Sequence, residues 1–155
     1  MGFLLYYLSL FMIYVVKTNT TPAIIEQIID LRDEVLRKPW NQTRQSVTDD
    51  LEEIAINAYI EKDSEIIACG RLQNNGSGIG QIRYMAVNKA FQGKGLGKLI
   101  VVKLEDEAKR MQLKTIELQA RENALDFYKS QGYIVKETSF KLWDIIQHYL
   151  MSKHL

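Results

Sequence analysis

Met85-Ala86-Val87-Asn88-Lys89-Ala90-Phe91-Gln92-Gly93-Lys94-Gly95-Leu96-Gly97-Lys98-Leu99 is the stretch on which the reading of this chain turns. A strand-like run enters a glycine-rich turn, and the turn opens into an amphipathic helix. Glycines let a ligand approach the backbone closely, and the free N–H groups at a helix start carry partial positive charge. Together they suit a phosphate or diphosphate, and Lys94 and Lys98 add charge to the same turn. Two common phosphate loops are excluded. A Walker loop needs Ser or Thr after Gly-Lys, but Leu99 follows Gly97-Lys98 and Gln92 takes the place of the first glycine. A dinucleotide fingerprint needs a third glycine where Lys98 stands.

Upstream of this turn the chain reads as strand, helix and antiparallel meander. Thr21-Pro22 supplies a cap and a first helical residue. Ile24, Ile28, Leu31 and Val35 recur at helical spacing, with Asp30, Arg32, Asp33 and Arg37 assigned to the outer face. Pro39 ends that helix, and the polar loop from Lys38 to Thr48 leads to a short helix expected around Val47 to Glu53. Ile54 to Glu61 and Glu65 to Leu72 form a hairpin about Lys62-Asp63-Ser64. After the turn cluster Asn74 to Gly78, Gly80 to Val87 is a third strand. Ile82, Tyr84 and Ala86 share one of its faces; Gln81, Arg83 and Met85 share the other.

Downstream, Gly95 to Met111 is a helix with the stripe Leu96, Leu99, Ile100, Leu104, Ala108 and Met111. The pairs Glu105/Lys109 and Asp106/Arg110 are expected on its outer face. Thr115 to Ala120 is a buried strand, Asn123 to Gln131 a helix ended by Gly132, and Tyr133 to Glu137 and Ile145 to Met151 are the last strands. A strand–helix–strand unit among antiparallel strands predicts an α/β fold of the α+β type. Its sheet is mixed and mostly antiparallel, of about six to seven strands, with helices on both faces.

Composition narrows the function classes. Of 155 residues, 46% are hydrophobic, enough for a real core, and 20 Lys+Arg against 19 Asp+Glu leave no basic excess for nucleic acid. Cys69 is the one cysteine, so there is no disulfide framework. With His148 and His154 it cannot make an ordinary structural zinc site, and no metal is expected. Cys69 reads as a buried small hydrophobe and His148 as a packing or substrate-lining residue. Arg32, Arg37 and Trp40 flank the polar loop, where a solvated face is the default. A reducing, cytoplasmic setting follows. Met1 to Val16 is uncharged but shorter than the roughly 20 apolar residues of a membrane span, and it lacks the positive start and small-residue cleavage site of a secretory signal. The favoured reading begins a strand at Met12 and runs it to Lys17. Residues 12–155 are then one domain, and residues 1–11 an apolar extension.

The motifs carry a resemblance. Gln92-x-x-Gly95-x-Gly97, preceded by Arg83 to Val87, is similar to the acetyl-CoA signature of the GNAT family of N-acetyltransferases. Asn123-Ala124-Leu125-Asp126-Phe127-Tyr128-Lys129-Ser130-Gln131-Gly132-Tyr133 resembles that family's Asn-x-x-Ala-x-x-Phe-Tyr-x-x-x-Gly-Phe helix, with the alanine one place early. The likeness covers nearly all of the chain from Met12.

What the resemblance implies is concrete. The fold would be the GNAT acyl-CoA N-acyltransferase fold, acetyl-CoA the co-substrate, and the amine would attack it directly without metal or covalent enzyme intermediate. Amides of Gln92, Gly93, Lys94, Gly95, Leu96 and Gly97, with Lys98 beside them, would hold the diphosphate. Met85, Ala86 and Val87 would pair with the pantetheine arm, an N–H there facing the thioester oxygen. Asn123 would bond the same arm, and Tyr128 would protonate the leaving thiolate as general acid. The base stays open between Glu61, Glu117 and a water chain, because the strand Gly80 to Val87 carries no carboxylate. The acceptor is an amine of a small molecule or a protein. An alternative is a non-catalytic acyl-CoA-binding module on the same fold. An edge strand near the carboxyl end would allow two copies to pair as a homodimer.

Overall fold

The computed structural model describes residues 14–155. In chain order the elements are β1 (Val16–Lys17), α1 (Pro22–Leu36), β2 (Ile56–Lys62), β3 (Glu65–Asn74), β4 (Ile79–Val87), α2 (Leu96–Arg110), β5 (Thr115–Arg121), α3 (Leu125–Ser130), β6 (Ile134–Leu142) and β7 (Ile146–His154). One seven-stranded sheet runs in the order β1-β2-β3-β4-β5-β7-β6. β4 and β5 are parallel, in register from Ile79↔Thr115 to Ile82↔Leu118. A parallel pair needs a long crossover, which is the service α2 performs. β5 pairs antiparallel with β7, and β7 with β6. The mixed, mostly antiparallel sheet expected from the sequence is therefore present.

The described residues group into two compact units. The first comprises the chain up to Asp49, Asn57–Gly70 and Tyr84–Val101; the second comprises Asp50–Ile56, Arg71–Arg83 and Val102–Leu155.

In the first unit, Thr21 takes the capping place foreseen for it, its hydroxyl accepting from the Ile24 amide at 3.2 Å, with Pro22 in the first turn. Ile28 and Leu31 enter a core with Tyr59, Ile66, Cys69 and Ala86, flanked by Ile24, Ile25, Val35 and Leu36. Cys69 is fully buried as a small apolar residue. Two arginines depart from the expected outer face. Arg32 is fully buried, donating from Nη1 to the Val47 carbonyl at 2.9 Å and from Nη2 to Asn57 Oδ1 at 2.6 Å. Arg37 donates to the Ser46 hydroxyl and carbonyl. Arg44 bridges to Glu26 and Asp30 on α1. These bonds draw the loop onto α1 and place its 3₁₀ turn at Arg44–Val47, earlier than the helix expected at Val47 to Glu53; residues 50–54 form turns instead.

The β2–β3 hairpin turns on Asp63 and Ser64, both at positive φ (51° and 65°), the primed two-residue turn whose twist matches the flanking strands. β1 is shorter than the strand expected from Met12: it holds Val16 and Lys17, paired with Ile60 and Tyr59. Met12, Ile13 and the extension of residues 1–11 lie outside the described residues.

In the second unit, Leu104, Ala108, Ile116, Leu118, Ala120, Tyr133 and Met151 are all buried. The α2 stripe differs in detail from expectation. Leu96, Ile100, Leu104 and Ala108 are buried, as is Val101, but Leu99 and Met111 lie outside. Glu105, expected to face outward toward Lys109, turns inward to Lys153 of β7. It follows the buried Val101 by four residues and so shares its face. Phe140 and much of β6 are exposed; this strand forms the edge near the carboxyl end. Among the described residues no helix is long and apolar enough to cross a membrane.

Candidate functional site

In the first unit, β4 breaks the alternation expected of it at Tyr84. This residue has φ 54°, a left-handed conformation that costs free energy for a bulky side chain. Ile82 and Ala86 are buried, but Tyr84 does not share their pattern. The Arg32 guanidinium lies 4.7 Å from the Tyr84 ring centroid, and Cys69 Sγ is 3.8 Å from the Tyr84 carbonyl oxygen. The strand then resumes through Met85, Ala86 and Val87. Asn88 donates its amide to the Ile67 carbonyl at 2.8 Å and accepts from the Ala90 amide at 2.9 Å, opening the 3₁₀ turn Lys89–Phe91.

Gln92 folds back on the strand it follows, Nε2 donating to the Val87 carbonyl at 3.1 Å. Gly93 and Gly95 both have positive φ (77° and 81°), and a Cβ on either would meet nothing within 4 Å. Glycine is required here by backbone conformation, not by crowding, and the space above the turn is open. The first backbone bond at this end of α2 is from the Leu99 amide to the Gly95 carbonyl at 3.3 Å. The amides of Gly93, Gly95, Leu96, Gly97 and Lys98 have no hydrogen-bond partner among the described residues. Five donors thus lie beside the positive end of a 15-residue helix, where negative charge is stabilised. Lys94 and Lys98 are exposed there; Lys94 Nζ lies 5.2 Å from the Phe91 ring centroid.

The second unit holds Asn123 and Tyr128. Asn123 is exposed, in a 3₁₀ turn (Glu122–Ala124) rather than on the helix predicted to carry it; α3 begins only at Leu125. Tyr128 lies on α3, its ring edge-on to Phe127 at 4.9 Å and to Tyr133 at 5.9 Å. Its hydroxyl has no hydrogen-bond partner among the described residues. Burial drives its pKa well above the ordinary phenol value, opposed by the nearby Arg121 charge.

A cluster that the sequence did not single out braces this helix. Lys153 Nζ lies 2.9 Å from Glu105 Oε2 and donates to the Gln131 carbonyl at 2.8 Å. Tyr133 OH donates to Glu105 Oε1 at 3.3 Å. The end of α3 is thereby tied to α2 and β7, and Tyr133 supports the Tyr128 ring. Burial first, then the Glu105 carboxylate, also raises the Tyr133 pKa. Tyr133 belonged to the quoted motif, but Glu105 and Lys153 are 48 residues apart and their meeting leaves no mark in local spacing.

The two named candidates for the base differ. Glu61 of β2 lies 4.0 Å from Lys17 Nζ. Glu117 of β5 stands between Gln81 and Ser152 and has no hydrogen bond or ion pair among the described residues. His148 is buried, with Nδ1 2.9 Å from the Ile146 carbonyl and its ring stacked on Phe140 at 4.6 Å. Among the described residues no group of three or more His, Cys, Asp or Glu is placed to hold a metal.

In sequence order, then, a glycine turn with unbonded amides joins β4 to α2, and the tyrosine-bearing α3 follows β5. The family model of the acetyltransferase (GNAT) family matches residues 25–133. The chain belongs to the GNAT acetyltransferase family. YyaT of Bacillus subtilis (strain 168) is 25% identical over 143 residues, covering 90% of this chain and 95% of that protein. An acyl-CoA N-acyltransferase from Pseudomonas aeruginosa has a similar structure, with TM-score 0.77 and 22% identity over 90% of this chain and 97% of that one. A Bacillus subtilis acetyltransferase in complex with CoA gives TM-score 0.72 and 17% identity, with coverage of 92% and 99%. These structural likenesses establish the GNAT fold.

Proposed function

We propose that this GNAT protein is an N-acetyltransferase that moves the acetyl group of acetyl-CoA directly onto a primary amine of a small molecule or a protein, with residues 12–155 as its catalytic domain. The observation that carries the reading is the set of five unbonded amides between Gly93 and Lys98, on a turn whose Gly93 and Gly95 border open space. Donors of that kind fit a diphosphate, and the CoA complex of the similar Bacillus subtilis acetyltransferase supports CoA as its bearer.

Gln92, Gly93, Lys94, Gly95, Leu96 and Gly97 hold the diphosphate through main-chain N–H groups, and Lys94 and Lys98 neutralise it. Met85, Ala86 and Val87 pair with the pantetheine arm through their backbone, and an N–H there faces the thioester oxygen as negative charge gathers on it. Asn123, exposed on its turn, bonds the same arm. An alkyl amine has a pKa near 10, so roughly one molecule in a few thousand is neutral at pH 7 and a proton must leave before attack. The first proton passes to solvent; as the amine nitrogen bonds to the acetyl carbon and the carbon–sulfur bond breaks, Tyr128 gives its proton to the sulfur and is reprotonated by the second proton that the nitrogen sheds. Burial keeps that phenol protonated throughout the neutral range.

A thiol-release assay over a panel of amines, paired with calorimetric titration of CoA, tests this. The expected result is CoA binding together with amine-dependent thiol release and an acetylated product by mass spectrometry. Binding without release over the whole panel would make the chain an acyl-CoA-binding module, and no binding would remove the reading altogether.

A further inference from the structure

We infer that Glu117 and Gln119 of β5 form the subsite for the acceptor, and that the acceptor is an aliphatic diamine or a comparable cation with two hydrogen-bond donors about 7 Å apart. The inference deepens the transferase reading and rests on it for the reaction, but not for binding.

β5 lies inside the sheet, between β4 and β7. Alternation puts Ile116, Leu118 and Ala120, all buried, on the face that also holds their partners Lys153, Met151 and Tyr149. The helix-bracing cluster around Lys153 and Glu105 covers that face. Thr115, Glu117, Gln119 and Arg121 take the other face, with His154, Ser152, Leu150 and His148 opposite them. Thr115 is satisfied there, its hydroxyl 3.1 Å from His154 Nδ1.

The next two residues along this face are not. The Glu117 carboxylate is half-buried and has no hydrogen bond or ion pair among the described residues. Its neighbour on β4, Gln81, already accepts from Gln73 and Asn75 through Oε1. Gln119 Oε1 is buried without any hydrogen-bond partner, and the residue opposite it is the apolar Leu150. Interior strands rarely keep a carboxylate and a buried amide oxygen both unpaired, because each loses water without recovering a donor. Both groups accept only, and one is charged. The ligand that completes them brings N–H donors, with positive charge toward Glu117. Residues two apart on a strand lie about 7 Å from each other on one face, a span matched by two nitrogens separated by about four or five methylenes.

The test compares 1,4-diaminobutane, n-butylamine and β-alanine as acceptors for the full-length protein, E117Q and Q119M. The native protein should show kcat/KM for the diamine at least about tenfold above the monoamine, as expected of a charge-assisted contact, with β-alanine poorest. E117Q should lower the diamine value about tenfold more than the monoamine value, chiefly through KM. Q119M should reduce both, and both variants should melt within a few degrees of the native protein. An unchanged diamine preference in E117Q, or preference for β-alanine, overturns the inference. NMR titration of the CoA-free protein with 1,4-diaminobutane separates it from the transferase reading. Shifts centred on Glu117 and Gln119 support the subsite even where no amine is acetylated, and their absence refutes it even where acetylation occurs.

Discussion

Tyr128→Phe should lower kcat about a hundredfold while leaving the affinity for CoA within about twofold, the signature of a group that acts on the leaving sulfur and not on ground-state binding. The substitution deletes one oxygen and keeps the ring. The edge-on contacts to Phe127 and Tyr133 survive, so the packing of α3 should too. That hydroxyl has no hydrogen-bond partner among the described residues, so its removal strands no protein group. Tyr133→Phe is the matched control. It loses a hydrogen bond to Glu105, yet it should leave kcat nearly intact, because that phenol is committed to the brace. Single-turnover measurement of thiol release for both variants, beside calorimetric CoA affinities, checks this. Equal, small losses in both would reduce Tyr128 to a packing residue.

The same two tyrosines should make the fold sensitive to alkali. Burial raises both phenol pKa values, with Glu105 adding to the effect at Tyr133. The folded state therefore keeps both neutral at a pH where an unfolded chain ionises them, from about pH 10. Their contribution is present in full below that pH and is lost as pH climbs toward the folded values. Each should remove about 1.4 kcal/mol per pH unit above 10, and the pair about 2.7 kcal/mol. Against a total stability of about 5–15 kcal/mol, two pH units should remove roughly a third or more of it. Denaturant titrations between pH 8 and pH 12 should show a plateau followed by this decline, with Tyr133→Phe removing about half of the slope that the pair contributes. A flat stability to pH 12 would mean that these hydroxyls are solvated in the folded state.

The glycine turn and most of the sheet are readable in the sequence because both are local. Gly93 and Gly95 occupy positive-φ positions that glycine alone fills without strain, and Thr21-Pro22 and Asp63-Ser64 are equally direct signals. The polar interior was harder to read. Arg32 follows Ile28 by four residues and so lies on the apolar stripe by spacing, but its charge argues for the outside; distant partners such as Val47, Asn57 and the Tyr84 ring make its burial tolerable. Glu105 reads as an outer residue for the same reason, since its partner Lys153 lies 48 residues away. Tyr84 gave no warning at all, because a left-handed tyrosine has no local signature and is held by its surroundings. Asn123 lies in a 3₁₀ turn two residues ahead of the α-helix, a boundary that helical spacing alone does not mark. The unpaired acceptor on Gln119 is likewise invisible without three neighbouring strands in place.

Titration of ¹⁵N-labelled protein with CoA, followed through the backbone amide resonances, tests the central claim most directly. Resonances of Gly93, Gly95, Leu96, Gly97 and Lys98 should move furthest and gain protection from solvent exchange as the diphosphate takes up their hydrogens. Saturable CoA binding that leaves those five amides where they were would contradict it.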